Sequence, residues 1–186
     1  VDPYQFLSRV KVPVMYLIGT NDRHFNSFDD HGFYPFYQGD KSFAYVANYG
    51  HGMATHEHVR AYRAGAAHCF WGRPITRLTA MGTVEQGELK VSAIVQSQSE
   101  ITELRLLYCF KKGVRFNDDK DRYKSLPMKR DGDGGYWKAA LPSDREVYWY
   151  VEARDRAQGF DSIATTLLKS THRNRRPPPQ TRRQDG

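Results

Sequence analysis

Residues 12–22 read VPVMYLIGTND and residues 43–52 read FAYVANYGHG. The first is a nearly unbroken apolar run, Val12 to Ile18, closed by Gly19. A run of that kind, rather than an alternating one, fits a strand buried on both faces of a parallel sheet. Pro13 stands near its start, where a missing N–H is tolerated. Residues 43–47 form a second strand and Asn48 to Gly52 the loop after it. Between them, residues 26–38 hold Asp29, Asp30 and the cluster Phe33-Tyr34-Pro35-Phe36-Tyr37. That composition predicts a short helix or turn, limited in length by Pro35. Strand, connecting helix and strand make a βαβ unit. Each strand leads into one chemically capable side chain, Asp22 after the first and His51 after the second.

Further along, residues 55–71 predict a helix. Val59, Tyr62, Ala66 and Cys69 fall three and four apart on one face, with Arg60 and Arg63 away from it, and Gly72 and Pro74 end it. From Ile75 the apolar period changes to two. Leu89, Val91, Ala93 and Val95 alternate with polar residues, as do Leu104, Leu106, Tyr108 and Phe110, then Val147, Trp149 and Val151. Further strands are predicted over 75–81, 123–128, 135–141 and 160–169. Turn signals at 85–87, 117–119 and 131–135 separate them. About seven short alternating strands predict an antiparallel, immunoglobulin-like sandwich.

The first 74 residues hold too few strands and covering helices for a free-standing α/β domain. They read as the closing portion of a larger sheet. The expected fold class is therefore α/β plus all-β: residues 1–74 as the C-terminal part of an α/β sheet, 75–170 as an immunoglobulin-like β-sandwich, and 171–186 as a disordered basic tail rich in Pro and Arg.

The net charge of +7 invites a nucleic-acid reading. Arg173, Arg175, Arg176, Arg182 and Arg183 against Asp185 place four of those seven charges in the tail. A solvated terminus explains them without a specific nucleic-acid site. No apolar stretch reaches the roughly 18 residues a membrane span needs. The chain opens at Val1-Asp2-Pro3-Tyr4 without Met, which reads as the interior of a longer polypeptide. Cys69 and Cys109 are two cysteines in apolar surroundings, expected as buried thiols rather than a disulfide framework.

Several motifs carry less than they first offer. His24, His31, His51, His56 and His58 invite a metal reading, yet His56 and His58 are two apart and point about 200° apart around a helix. Exposed polar residues at a helix start are the expectation for both, and no metal is expected. Asp131-Gly132-Asp133-Gly134-Gly135 lacks the later ligands of a calcium loop and reads as a hairpin turn. Cys69 sits on the predicted apolar helix face and reads as core. Tyr136, Trp137, Tyr148, Trp149 and Tyr150 alternate along strands, which allows an exposed aromatic ledge for binding.

The segments Asp2-Pro3-Tyr4, Gly19-Thr20-Asn21-Asp22 with Phe25 after it, Phe33-Tyr34, Tyr45-Val46-Ala47-Asn48-Tyr49-Gly50-His51-Gly52 and Thr165-Thr166 together resemble the PhoPQ-activated pathogenicity-related protein family. The resemblance implies a prolyl-oligopeptidase-like α/β-hydrolase core followed by a small β domain. It matches Asp22 to the acid and His51 to the general base of a serine-hydrolase triad. It further implies acyl transfer to water on a peptide or ester substrate, no metal or organic cofactor, and an envelope or extracellular location. Chain order in that fold class is nucleophile, acid, base. No Gly-x-Ser-x-Gly occurs in the sequence, and Ser8, Ser27 and Ser42 lack the strand-to-helix elbow that exposes a nucleophile. The nucleophile and oxyanion donors are therefore expected upstream of Val1, and these 186 residues alone are expected to be inactive. A second expectation, of another class, is a non-enzymatic secreted or surface binding protein that uses the β-sandwich, with the hydrolase remnant as scaffold.

Overall fold

The computed structural model describes residues 3–22, 24, 36–110, 122–132, 135–157 and 160–171. After a 3₁₀ helix, Pro3–Arg9, strands β1 (Val14–Gly19) and β2 (Lys41–Val46) pair in parallel, Val14 opposite Lys41 through Gly19 opposite Val46. The burial is unequal. β2 is almost wholly buried, whereas β1 is half-buried until Gly19. Among the described residues β1 has one strand neighbour, so its apolar run is only partly covered.

Helix α1 (His56–Trp71) starts on a capping box: Thr55 Oγ1 accepts the His58 N–H at 3.3 Å and the Thr55 N–H reaches His58 Nδ1 at 3.3 Å. It stops at Gly72, whose φ of 65° suits a residue without Cβ and whose N–H returns to His68 O. The face it buries is not the predicted one. His58, Ala61, Ala64, Gly65 and Ala67 point inward, while Val59, Tyr62 and Cys69 are exposed. Close approach is the cause. A Cβ on Gly65 would stand 2.9 Å from Met15 Sδ and 3.5 Å from Met15 Cβ, so a small residue suits this contact with β1, and the bulky ones turn outward.

Among the described residues the remaining nine strands are antiparallel and form two sheets. One has the order β3-β4-β8-β7, with β3 (Arg77–Glu85), β4 (Glu88–Gln96), β7 (Lys129–Asp131) and β8 (Tyr136–Pro142). The other has the order β10-β9-β5-β6, with β5 (Glu100–Phe110), β6 (Lys124–Pro127), β9 (Val147–Ala157) and β10 (Phe160–Thr165); β11 (Lys169–Ser170) also pairs with β9. Alternate residues of the two sheets meet in one core: Leu89, Val91 and Leu141 from the first, Leu104, Leu106, Val147, Trp149 and Val151 from the second. β3 and β4 join through Gln86–Gly87, both at positive φ, as a two-residue hairpin needs. The pair of sheets fits an immunoglobulin-like β domain loosely.

The expected fold class, α/β plus all-β with the C-terminal portion of an α/β-hydrolase sheet, is corrected by this arrangement. The described chain is mostly β, with one α-helix and no alternation of sheet strands with covering helices. The β1–β2 pair is covered by α1 and by the β domain. Ala44 of β2, Ala61 of α1 and Ile163 of β10 form one cluster, and Tyr45 of β2 joins Leu107, Tyr148, Tyr150 and Leu168 in another. The Tyr45 N–H also donates to Thr165 Oγ1 at 3.3 Å. Buried Asp155 accepts from Ser162 Oγ at 2.5 Å and from Thr76 Oγ1, with Arg73 Nη2 at 3.7 Å, and so ties the segment after α1 to β9 and β10.

Ser27, Phe25, His31, Phe33, Tyr34, most of the predicted 26–38 element, the 117–119 turn, Asp133, Gly134 and the tail 172–186 lie outside the described residues.

Candidate functional site

The loops after β1 and β2 are fastened to each other by backbone. Asn21 N–H donates to Tyr49 O at 2.9 Å and Thr20 N–H to Val46 O at 3.0 Å, while Asp22 N–H closes the turn of its own loop on Gly19 O at 3.2 Å. Thr20 Oγ1 accepts the Asn48 N–H at 2.8 Å and donates to Asn21 Oδ1 at 2.8 Å. Gly19 is needed for this approach: a Cβ there would fall 2.2 Å from Tyr49 O and 2.4 Å from Gly50 O. Asn48 takes the left-handed φ of 60° that Asn tolerates, and its amide holds Tyr123 by two bonds, Nδ2–H to the carbonyl at 2.9 Å and Oδ1 from the N–H at 2.6 Å.

Across this junction His51 Nδ1 stands 3.0 Å from Asp22 Oδ2. The other carboxylate oxygen, Oδ1, accepts the His24 N–H at 2.8 Å. The Asp22 side chain is 5% exposed and that of His51 57%. An ionised carboxylate only accepts, so opposite it Nδ1 is the donor, and in the neutral ring Nε2 is the basic nitrogen. The structure thus brings together two side chains whose sequence positions gave them only a common location, the exits of two strands. The ring of His24 meets that of His51 edge-on, with centroids 4.9 Å apart.

The other candidate residues fall elsewhere. His56 is exposed, but His58, also expected at the surface, is 2% exposed. Its burial pushes the imidazole below its ordinary value, against an opposing pull from Glu57. His68 bridges Asp40, Nε2 to Oδ2 at 3.0 Å, and the Arg73 carbonyl, 2.8 Å from Nδ1. Among the described residues no group of three or more His, Cys, Asp or Glu is placed to hold a metal. Asp131 pairs with Lys138 at 2.5 Å. Cys69 is exposed, not core; Cys109 is buried as expected. The aromatic ledge is mostly interior: Tyr148, Trp149 and Tyr150 are buried, while Tyr136 is exposed. Ser8 is exposed on the 3₁₀ helix and Ser42 is buried in β2. No helix among the described residues is long and apolar enough to cross a membrane.

The loops holding Asp22 and His51, the strands that carry them and α1 all fall within residues 1–109, which match the model of the PhoPQ-activated pathogenicity-related protein family. The chain belongs to that family. A comparison with curated proteins finds no match. Among solved structures, the crystal structure of a carbohydrate-binding module family 56 β-1,3-glucan binding domain is similar at 10% identity, over 52% of this chain and 99% of that one, with a TM-score of 0.36.

Tyr49, His58, Gly19 and Asn48 are the contributors to this junction that sequence reading missed as such. A glycine at the end of an apolar run, and an Asn before an aromatic and a Gly-His-Gly, are the signals that could have marked two of them.

Proposed function

We propose that Asp22 and His51 are the acid and the general base of a serine-hydrolase-type acyl transfer to water, on a peptide or ester. The observation that carries this is the 3.0 Å contact between His51 Nδ1 and Asp22 Oδ2, made across two separate loops. A buried carboxylate accepting from Nδ1–H orients the ring, fixes its tautomer and stabilises the imidazolium. Nε2 is then the atom that takes a proton from a nucleophile and returns it to the leaving group. The His51 side chain is 57% exposed, as a base that meets a substrate needs to be.

The sequence holds no Gly-x-Ser-x-Gly, and among the described residues Ser8 and Ser42 sit on no strand-to-helix elbow, so this reading takes the nucleophile from outside residues 1–186. Residues 1–186 alone are then inactive. Labelling with a serine-reactive fluorophosphonate tests both parts. A polypeptide extended upstream of Val1 is labelled, and the label is lost with His51→Ala. Residues 1–186 are not labelled and show no ester turnover. Steady turnover by residues 1–186 that vanishes with His51→Ala would place the nucleophile inside them. Labelling of the extended protein that is indifferent to His51→Ala would remove His51 from the base role.

The alternative of a binding protein that presents an aromatic ledge is not favoured, since three of its five aromatics are in the core.

A further inference from the structure

We propose that His58 is a positioning residue for the Asp22–His51 pair, holding both loops through Tyr49; this rests on the acid–base reading of that pair. His58 is the first inward-facing residue of α1 and is almost completely buried. Its Nδ1 accepts the Thr55 N–H at 3.3 Å and lies 2.7 Å from Thr55 Oγ1. With Nδ1 accepting, the neutral ring carries its proton on Nε2. That atom is buried and has no hydrogen-bond partner among the described residues. The ring instead meets the ring of Tyr49 edge-on, centroids 4.7 Å apart at 68°.

Tyr49 is the residue the two loops share. Its carbonyl holds the N–H of Asn21, the neighbour of Asp22. Its ring flanks Gly52, and a Cβ there would meet its hydroxyl at 3.7 Å. His51 lies between Tyr49 and Gly52. If loss of the ring contact displaces the Tyr49 backbone, Asn21 moves through the Tyr49 carbonyl and His51 through the chain, and a contact of 3.0 Å tolerates little such movement. Capping α1 needs only the Nδ1 acceptor, whereas positioning needs the ring. The two roles separate by substitution. In His58→Asn, Oδ1 stands in for Nδ1 and the ring is lost. In His58→Phe the ring stays and the acceptor is lost.

The readout is the tautomer ratio of His51 in residues 1–186, from two-bond ¹H–¹⁵N correlation spectra in alkaline solution, where the ring is neutral. His58→Asn is expected to move the ratio about threefold to tenfold from Nδ1–H towards Nε2–H. His58→Phe is expected to leave it within about twofold of the parent, since the ring contact is retained. Tyr49→Leu, which removes the same contact from the other side, is expected to behave like His58→Asn and serves if that variant does not fold. An unchanged ratio in His58→Asn or Tyr49→Leu overturns the proposal. So does a shift in His58→Phe as large as in His58→Asn, because the ring contact is kept in one variant and lost in the other and so cannot be the cause of both. Asp22→Asn distinguishes the two levels. If it leaves the His51 tautomer unchanged, the acid–base reading itself fails; if it changes the tautomer and the His58 variants do not, only the positioning role fails.

Discussion

Replacing Asp22 with Asn changes which ring nitrogen of His51 carries the proton, and the local hydrogen bonds say in which direction. Oδ1 of Asp22 accepts a backbone N–H, that of His24, at 2.8 Å. An amide at this position keeps that bond only with its oxygen towards His24, which turns its NH₂ towards His51. Nδ1 must then accept, and the proton moves to Nε2. In the parent, a charge-assisted bond at 3.0 Å favours Nδ1–H; with the ring more than half exposed, the lower end of the usual range applies, about 1.5 kcal/mol. In the variant a neutral bond favours the opposite tautomer by about 1 kcal/mol. The swing of about 2.5 kcal/mol is roughly 50- to 100-fold in the tautomer ratio. Two-bond ¹H–¹⁵N spectra of uniformly labelled protein read that ratio directly, with His51 assigned by its absence in His51→Gln. An Asp22→Asn protein in which His51 still holds its proton on Nδ1 would refute the reasoning, as would a parent protein in which Nε2–H dominates. For the proposed reaction the consequence is severe, because a protonated Nε2 cannot act as base. The same change in a serine-protease triad lowers turnover about 10⁴-fold.

Three further outcomes follow from the packing. Burial lowers the pKa of His58 from 6.5, so the unfolded chain binds the proton more tightly; stability is full above about 6.5 and falls as pH drops towards the folded value. Urea midpoints across that window should slope in the parent and flatten in His58→Phe, and parallel curves would contradict the assignment. Gly82 lies against Trp149, where a Cβ would stand 2.5 Å from Cζ2 of a ring fixed in the core, so Gly82→Ala is expected to cost about 1–3 kcal/mol in chemical denaturation. Buried Glu152 holds Arg105 at 2.5 Å and Arg154 at 3.1 Å through one oxygen; Glu152→Ala is expected to destabilise by about 3 kcal/mol, the low end for a broken buried pair, because Glu103 and Glu57 remain near the two guanidinium groups. A denaturation midpoint unchanged by Glu152→Ala would show that those acids suffice.

The parallel strand pair and the meeting of its exit loops were legible because both signals are local. An apolar run closed by Gly marks a strand end, and two such ends in a parallel pair lie side by side, which is why Asp22 and His51 meet. The face of α1 was misread for a physical reason. Apolar periodicity registers bulky apolar residues, and the stripe at Val59 and Tyr62 is the outer one, whereas the buried stripe is a histidine followed by residues too small to register. β9 defeated alternation in another way. Val147, Trp149 and Val151 face the sandwich core, while Tyr148 and Tyr150 face the cluster with Tyr45, Leu107 and Leu168, so consecutive residues are buried and no ledge remains.

That second face of β9 also accounts for the corrected fold class. A parallel pair with an exposed flank demands a cover, and the sequence pattern leaves open what it is. Here β10, β9 and the Thr165 hydroxyl close over β2, and the Asp155 network fastens the exit of α1 to the same strands. The loops of Asp22 and His51 are thus set on a strand pair held by the β domain. Stabilising contacts as distant in sequence as Tyr45–Tyr150, with ring centroids 5.3 Å apart, belong to the support of the site. A disturbance of the β domain at Tyr150 should therefore register in the His51 tautomer, whereas one at the outer face near Tyr136, remote from β2, should not.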